Sequence, residues 1–180
     1  MTCIVYRSGI LASDSLSSFY DEVGVYGVTK LTSSPDGWVM GFTGPTAACY
    51  RAQQLYKKWF DHTKNPNDSK KDETGKISGL AVSWKDEVFM LGDEGWYPIK
   101  SEYCAIGSGS SHAVGALAAG ASATQAVEIA IKHNPYCGGD IVVICPTEPK
   151  KKCANNHRRR SITKSKPSTT KAKPKKKPGK

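Results

Sequence analysis

Thr2-Cys3-Ile4-Val5-Tyr6-Arg7-Ser8-Gly9-Ile10-Leu11-Ala12-Ser13-Asp14 is a hydroxyl residue, an apolar run, a turn and a second apolar run that ends on a carboxylate. The two runs flank Arg7-Ser8-Gly9 and read as a β-hairpin ending at Asp14. Thr2 stands directly behind Met1, and an initiator methionine before a small residue is usually clipped. Clipping leaves one residue with both a hydroxyl and a free α-amino group. The hydroxyl is a weak nucleophile until something takes its proton, and an α-amino group with a pKa of roughly 7.7–8.0 can do so near neutrality. That is the smallest form of a nucleophile that supplies its own base. The same threonine also reads as an ordinary start to a first strand.

Outward from the hairpin, the Ser-rich residues 15–24 read as a loop. Val25–Leu31 and Trp38–Thr43 flank Ser33-Ser34-Pro35-Asp36-Gly37, a strong turn signal, and form a second hairpin. After Gly44-Pro45 the period becomes helical, with Ala48, Leu55, Trp59 and Phe60 on or near one face, Pro45 in the first turn and an end near His62. The polar stretch 63–76, with Lys70-Lys71-Asp72-Glu73, reads as an exposed loop. Strand signals return at 77–84, 88–91, 97–99 and 103–106. Helices are expected over 108–119 and 123–133, the second behind a capping box at Ser122–Gln125, and a last strand over 140–145. Strands, helix, strands, two helices and a strand in separate blocks imply an α+β fold, with sheets packed face to face and helices outside.

Charge separates this body from the C-terminal tail. Residues 1–149 hold 12 Lys and Arg against 16 Asp and Glu, a net of −4, whereas 150–180 hold 14 basic residues and no acidic one. The body is expected to be one domain, 1–149. The tail carries Lys150, Lys151, Lys152, Arg158, Arg159, Arg160, Lys175, Lys176 and Lys177 with three prolines and almost no apolar residue, a composition expected to stay disordered. Such a segment binds polyanions by counterion release, nucleic acid foremost. It also reads as a solubilising or docking extension, or as a nuclear-import signal in a nucleated host. No run approaches a membrane span and the start lacks a signal peptide, so the expectation is a cytoplasmic protein with no membrane partner. Six cysteines without a CxxC pair fit reduced thiols in that compartment. Cys153 and His157 have a spacing that metal ligands use, but no second pair matches them.

The chemistry sharpens when polar residues at strand ends are set beside Thr2. Asp14 ends the second strand, Lys30 lies near the end of the third, and Gly44 follows the fourth. A lysine near the threonine lowers the pKa of the amino group and stabilises the alkoxide, and an aspartate beside the lysine holds it charged. The Gly44 N–H would serve as an oxyanion donor, a role worth roughly 2.7–4 kcal/mol in other enzymes. Taken singly, Asp14 is also a turn residue, Lys30 a solvated strand residue and Gly44 a break before a helix.

In order, Thr2-Cys-Ile-Val, Gly9-Ile-Leu-Ala-Ser-Asp14-Ser, Val28-Thr-Lys30-Leu, Gly41-Phe-Thr-Gly44-Pro-Thr-Ala, Ala105-Ile-Gly-Ser108-Gly-Ser and Tyr136-Cys-Gly-Gly139 resemble the motifs of the proteasome β-subunit family and its bacterial HslV-type relatives. The resemblance spans roughly residues 2–145 and none of the tail. It implies the four-layer αββα sandwich of the N-terminal-nucleophile hydrolases and threonine-type endopeptidase activity on protein or peptide substrates. It also implies a homo-oligomeric ring, a separate ATP-driven unfoldase as partner, and no metal or organic cofactor. Thr2 resembles the nucleophile, Lys30 and Asp14 its charged partners, and Gly44 the oxyanion donor. Ser108 matches the serine near the threonine amino group, although it also reads as a helix N-cap. Phe42 and Thr46 fall where the family lines its primary specificity pocket, and Phe42 reads equally as core.

The chain departs from the family's Asp-x-x-Ser-Gly-Gly pattern. Asn134 replaces the carboxylate with a neutral amide and Cys137 replaces the hydroxyl with a weakly bonding thiol, both expected to weaken support for the amino group. The hairpin between Thr2 and Asp14 is also short for the family. Asn134 and Cys137 favour a rival expectation, a catalytically weakened or inactive proteasome-like scaffold whose basic tails bind nucleic acid, and Thr2, Asp14, Lys30 and Gly44 together oppose it. Activity would depend on removal of Met1, because an acylated amino group is no base.

Overall fold

Ser8 and Gly9 both carry positive φ, 49° and 74°, as in the two-residue turns whose twist matches that of the strands they join. The chain therefore reverses at once, and β1 (Ile4–Arg7) pairs antiparallel with β2 (Ile10–Ser13) in the register Ile4↔Ser13 to Arg7↔Ile10. The computed structural model describes residues 2–19, 22–68 and 76–149, without the side chains of 19, 22 and 23. Met1, Lys70–Glu73, the tail cations Lys150 to Lys177 and the Cys153–His157 pair lie outside the described residues.

The next elements are β3 (Ser17–Phe19), β4 (Glu22–Val25), β5 (Leu31–Ser33), β6 (Trp38–Thr43), α1 (Thr46–Tyr56) and a 3-10 turn at Pro66–Asp68. They are followed by β7 (Ser78–Ser83), β8 (Val88–Gly92), β9 (Gly95–Ile99), β10 (Tyr103–Ile106), α2 (Ser110–Ala118), α3 (Ala123–His133) and β11 (Val142–Ile144). The strands form a sheet in the order β10-β1-β2-β11, a sheet in the order β5-β6-β7-β8-β9 and the separate hairpin β3-β4. Among the described residues every strand pairing is antiparallel.

Side-chain alternation along β1 assembles the layers, because successive residues point to opposite faces of a sheet. Cys3 and Val5, with Ala12, pack against Ala113 and Leu117 of α2 and Ala126, Val127 and Ala130 of α3. Ile4 and Tyr6, with Leu11, pack the other way against Leu31, Val39, Leu80 and Val82 of the second sheet. The far face of that sheet, with Met40, Phe42, Ala81 and Leu91, is covered by Ala48, Ala52 and Tyr56 of α1. The α+β expectation is met, and helices lie outside both sheets. Among the described residues no helix is long and apolar enough to cross a membrane.

Three expectations differ from the structure. Residues 15–24 contain the hairpin β3-β4, because the serines pair through their backbones instead of forming a loop. Strand 25–31 is instead the short β5, starting at Leu31. Its upstream residues spend their backbone groups elsewhere: Val28 N–H donates to the Ser15 carbonyl, and the Thr29 carbonyl accepts from Gln53 Nε2. Helix α1 ends at Tyr56, not near His62, and Pro45 is its N-cap with φ −58° and ψ 128°. The buried face is Ala48, Ala52 and Tyr56, four residues apart, while Leu55 and Trp59 are exposed. Phe60 does reach the core, through a loop pinned by its N–H to Asp36 Oδ2 at 3.1 Å.

Phe60 lies in an aromatic cluster, with ring centroids 4.4 Å from Trp38, 5.5 Å from Tyr56 and 5.2 Å from Trp96. Removing the ring leaves a cavity that these rigid neighbours cannot fill. Phe60→Ala is therefore expected to lower unfolding stability by about 3–5 kcal/mol in urea titration.

Candidate active site

Asp14 leaves β2 fully buried, and its carboxylate is satisfied from three directions. Oδ1 accepts the Cys3 N–H at 2.8 Å and Lys30 Nζ at 2.7 Å, and Oδ2 accepts the Gly138 N–H at 3.1 Å. Lys30, 5% exposed, also donates to the Leu16 carbonyl at 2.5 Å. Two charges out of water are tolerable only with such pairing, because desolvation costs several kcal/mol per ion. Lys30 is thus not a solvated strand residue, and Asp14 is more than a turn residue. Lys30 comes not from a strand end but from the irregular segment before β5, which lets its side chain turn inward.

Thr2 precedes β1 and is nearly buried. Its N–H donates to Ser108 Oγ at 3.2 Å, and its carbonyl accepts from the Gly109 N–H and from Ser108 Oγ, both at 3.3 Å. Gly107 makes this approach possible. It has φ +95°, and a Cβ there would lie 2.1 Å from the Thr2 carbonyl oxygen, so no other residue fits. Gly44, with φ +136°, turns the chain between β6 and α1 beside Ile77. Thr2, Lys30 and Gly44 line one cavity of about 250 Å³, with Phe42, Thr46 and Ser17 around it. Phe42 belongs to both of its expected settings, since it also stacks on Tyr56 in the core.

Ser108 is not the N-cap of α2. The helix begins at Ser110, Gly109 takes the cap position without a side-chain bond, and the Ser108 hydroxyl is turned to Thr2 instead. By contrast, Ser122 and Gln125 form both bonds of the expected capping box on α3.

Asn134 and Cys137 stand one step back. Asn134 Nδ2 donates to the Ser108 carbonyl at 2.7 Å, and its Oδ1 accepts the Tyr136 N–H at 2.9 Å. These side-chain bonds hold the Ser108 backbone and do not reach the Thr2 nitrogen. Cys137 Sγ lies 4.0 Å from Ser108 Oγ. A hydrogen bond from the Cys3 thiol holds the Cys137 thiol below its usual value and pushes the Cys3 thiol up. Both cysteines are free.

The site thus brings Thr2, Lys30, Gly44, Phe42 and Thr46 to one cavity, Asp14 and Ser108 behind it, and Asn134 and Cys137 behind Ser108. Sequence reasoning missed Ser17, Cys49 and Gln53, which also line the cavity. The last two were detectable: Thr46, Cys49 and Gln53 are spaced three and four apart, which puts them on one face of α1. Among the described residues no group of three or more His, Cys, Asp or Glu is arranged to hold a metal ion.

Asn134 has a role that its isosteric acid lacks, since a carboxylate has no donor for the Ser108 carbonyl. Asn134→Asp would set two acceptors against each other, and thermal or urea unfolding is expected to show a loss of about 1–3 kcal/mol.

No protein-family model matches the chain, and no curated protein matches it. Among solved structures it is similar to Thiobacillus denitrificans BPH in complex with epoxomicin, with a TM-score of 0.61 and 17% identity over 83% of this chain and 98% of that one. It is similar also to a second structure of Thiobacillus denitrificans BPH, with a TM-score of 0.59 and 16% identity over the same shares. The chain shares the fold of these proteins.

Proposed function

We propose that this chain is a threonine-type endopeptidase of the proteasome β-subunit kind, with Thr2 as nucleophile once Met1 is removed. The observation that carries the reading is the meeting of Thr2, Lys30 and Gly44 on one cavity, with Lys30 held by the buried Asp14. The finer fold assignment, an αββα sandwich of the N-terminal-nucleophile type, belongs to the same proposal. It is supported by helices outside both sheets and by the likeness to a protein whose structure holds epoxomicin.

Removal of Met1 turns the Thr2 amide nitrogen into an amine, which keeps N–H bonds for Ser108 and gains a lone pair. That lone pair takes the hydroxyl proton, while the Lys30 charge lowers the pKa of the amine and stabilises the developing alkoxide. The oxygen attacks a peptide carbonyl, and the Gly44 N–H receives the negative charge. The tetrahedral intermediate collapses to an ester on Thr2 as the new amine leaves with the proton. Water, deprotonated by the same amino group, then releases the second product and restores the hydroxyl.

The rival reading, a scaffold without hydrolysis, rests on Asn134 and Cys137. Their bonds reach Thr2 through Ser108, so a neutral amide and a thiol there are compatible with the chemistry. The proposal extends to a homo-oligomeric ring in the cytoplasm, fed by a separate ATP-driven unfoldase.

Intact mass before and after epoxomicin tests the core of this reading. Loss of Met1 and one adduct per chain, absent in Thr2→Ala, are expected. Retained Met1 with no adduct would sink it.

The tail is proposed to bind nucleic acid through its 14 basic residues, with affinity falling steeply as salt rises. Deleting 150–180 is expected to abolish salt-sensitive retention on DNA while peptide cleavage continues; unchanged retention refutes the role.

A further inference from the structure

The cavity beside Thr2 has a composition that selects more narrowly than its aromatic wall suggests. No Asp or Glu lines it, and its one cation among the described residues, Lys30, is bound to Asp14 and to the Leu16 carbonyl. Cys49 contributes a thiol that burial pushes up to about 11, so it is neutral at physiological pH. A charged side chain entering here would leave water for no counter-charge of its own, a heavy penalty.

Beside the exposed Thr29 and Tyr50 hydroxyls, two polar groups of its lining have their free hydrogen-bonding capacity set by a partner already in place. Gln53 Nε2 donates to the Thr29 carbonyl at 3.0 Å, which fixes the orientation of the amide because a carbonyl must face the NH2 end. Among the described residues no hydrogen bond reaches Gln53 Oε1, and Gln53 lines the cavity. Ser17 Oγ and Thr46 Oγ1 lie 3.2 Å apart and share one hydrogen bond. Two hydroxyls carry two protons, so one remains to be donated. Gln53 and the Ser17–Thr46 pair therefore offer the cavity an acceptor and a donor, with the Phe42 and Tyr50 rings as apolar wall.

We propose that this cavity takes a carboxamide side chain, glutamine or asparagine, on the acyl side of the cleaved bond. Gln53 Oε1 accepts its N–H, and the Ser17–Thr46 hydroxyl pair donates to its C=O. The inference rests on the peptidase reading. If Thr2 attacks a carbonyl held at Gly44, the residue bearing that carbonyl has its side chain at the cavity that both line. The methylene stem of glutamine would lie along the rings. An isosteric glutamate loses the donor and carries a charge, and leucine leaves Gln53 Oε1 and the Ser17–Thr46 pair without a partner.

The test uses the full chain and fluorogenic peptides that differ only at the acyl-side residue: Gln, Asn, Leu, Glu and Lys. Glutamine or asparagine is expected to lead in kcat/KM by about tenfold over the other three. Gln53→Glu should transfer the preference to lysine, and Gln53→Leu should bring leucine above glutamine. Because Gln53 also holds the Thr29 carbonyl beside Lys30, either variant can slow all substrates, so the readout is the ratio between peptides. Leucine, glutamate or lysine cut best by the unaltered chain, or ratios unmoved in both variants, would overturn the inference while epoxomicin labelling of Thr2 leaves the peptidase reading standing. No labelling of Thr2 and no cleavage of any peptide would remove both.

Discussion

The buried Asp14 carboxylate is the constraint on which the rest of the site depends. It lies fully buried just past the end of β2, where an unpaired charge is untenable, so every group that satisfies it must stay in place. Those groups come from three distant parts of the chain: the Cys3 amide before β1, the Lys30 ammonium before β5 and the Gly138 amide after α3. One side chain thereby fastens the strand that presents Thr2, the cation that faces its cavity and the loop behind it. The ion pair's value is positional, since desolvation offsets much of its Coulomb energy.

A second constraint is steric. Thr2 is gripped by the backbone of residues 107–109, which approaches so closely that a β-carbon at Gly107 would overlap the Thr2 carbonyl. The approach places the Ser108 hydroxyl against the Thr2 nitrogen, and Asn134 fixes Ser108 in turn through its carbonyl. A chain of hydrogen bonds therefore runs from the end of α3 to Thr2, with each member committed to a definite partner. Cys3 and Cys137 fill the space beside it and flank Gly109, where a side chain would meet both. The neutral amide at 134 suits its place, because the position needs a donor as well as an acceptor.

The layers serve the same end. Alternation along β1 sends Ile4 and Tyr6 into the seam between sheets and Cys3 and Val5 toward α2 and α3. Helix α1, laid over the outer face of the second sheet, gives one side to the core through Ala48, Ala52 and Tyr56. It gives another to the cavity through Thr46, Cys49 and Gln53. Packing and site therefore share a helix, and a change in its register would disturb both.

The first hairpin, the α+β class and the capping box at Ser122 were legible in the sequence, because each rests on local chemistry: a two-residue turn, periodicity, a hydroxyl three residues before an amide. So were Thr2, Asp14 and Lys30 as polar residues among apolar runs, and Gly44 as the break before a helix. The sequence left Lys30 open between a solvated strand residue and a partner of Asp14, and Ser108 between a helix N-cap and a neighbour of Thr2. The structure pairs Lys30 with the buried Asp14 and turns Ser108 to Thr2. It misled over Leu55 and Trp59, whose apolar character suggested burial that the early end of α1 denies. Local propensity and spacing determine elements, since they act within a few residues. Only the tertiary structure decided which donors reach Asp14, which hydroxyl reaches Thr2 and which face of α1 lines the cavity, because those choices depend on long-range burial and hydrogen-bond satisfaction.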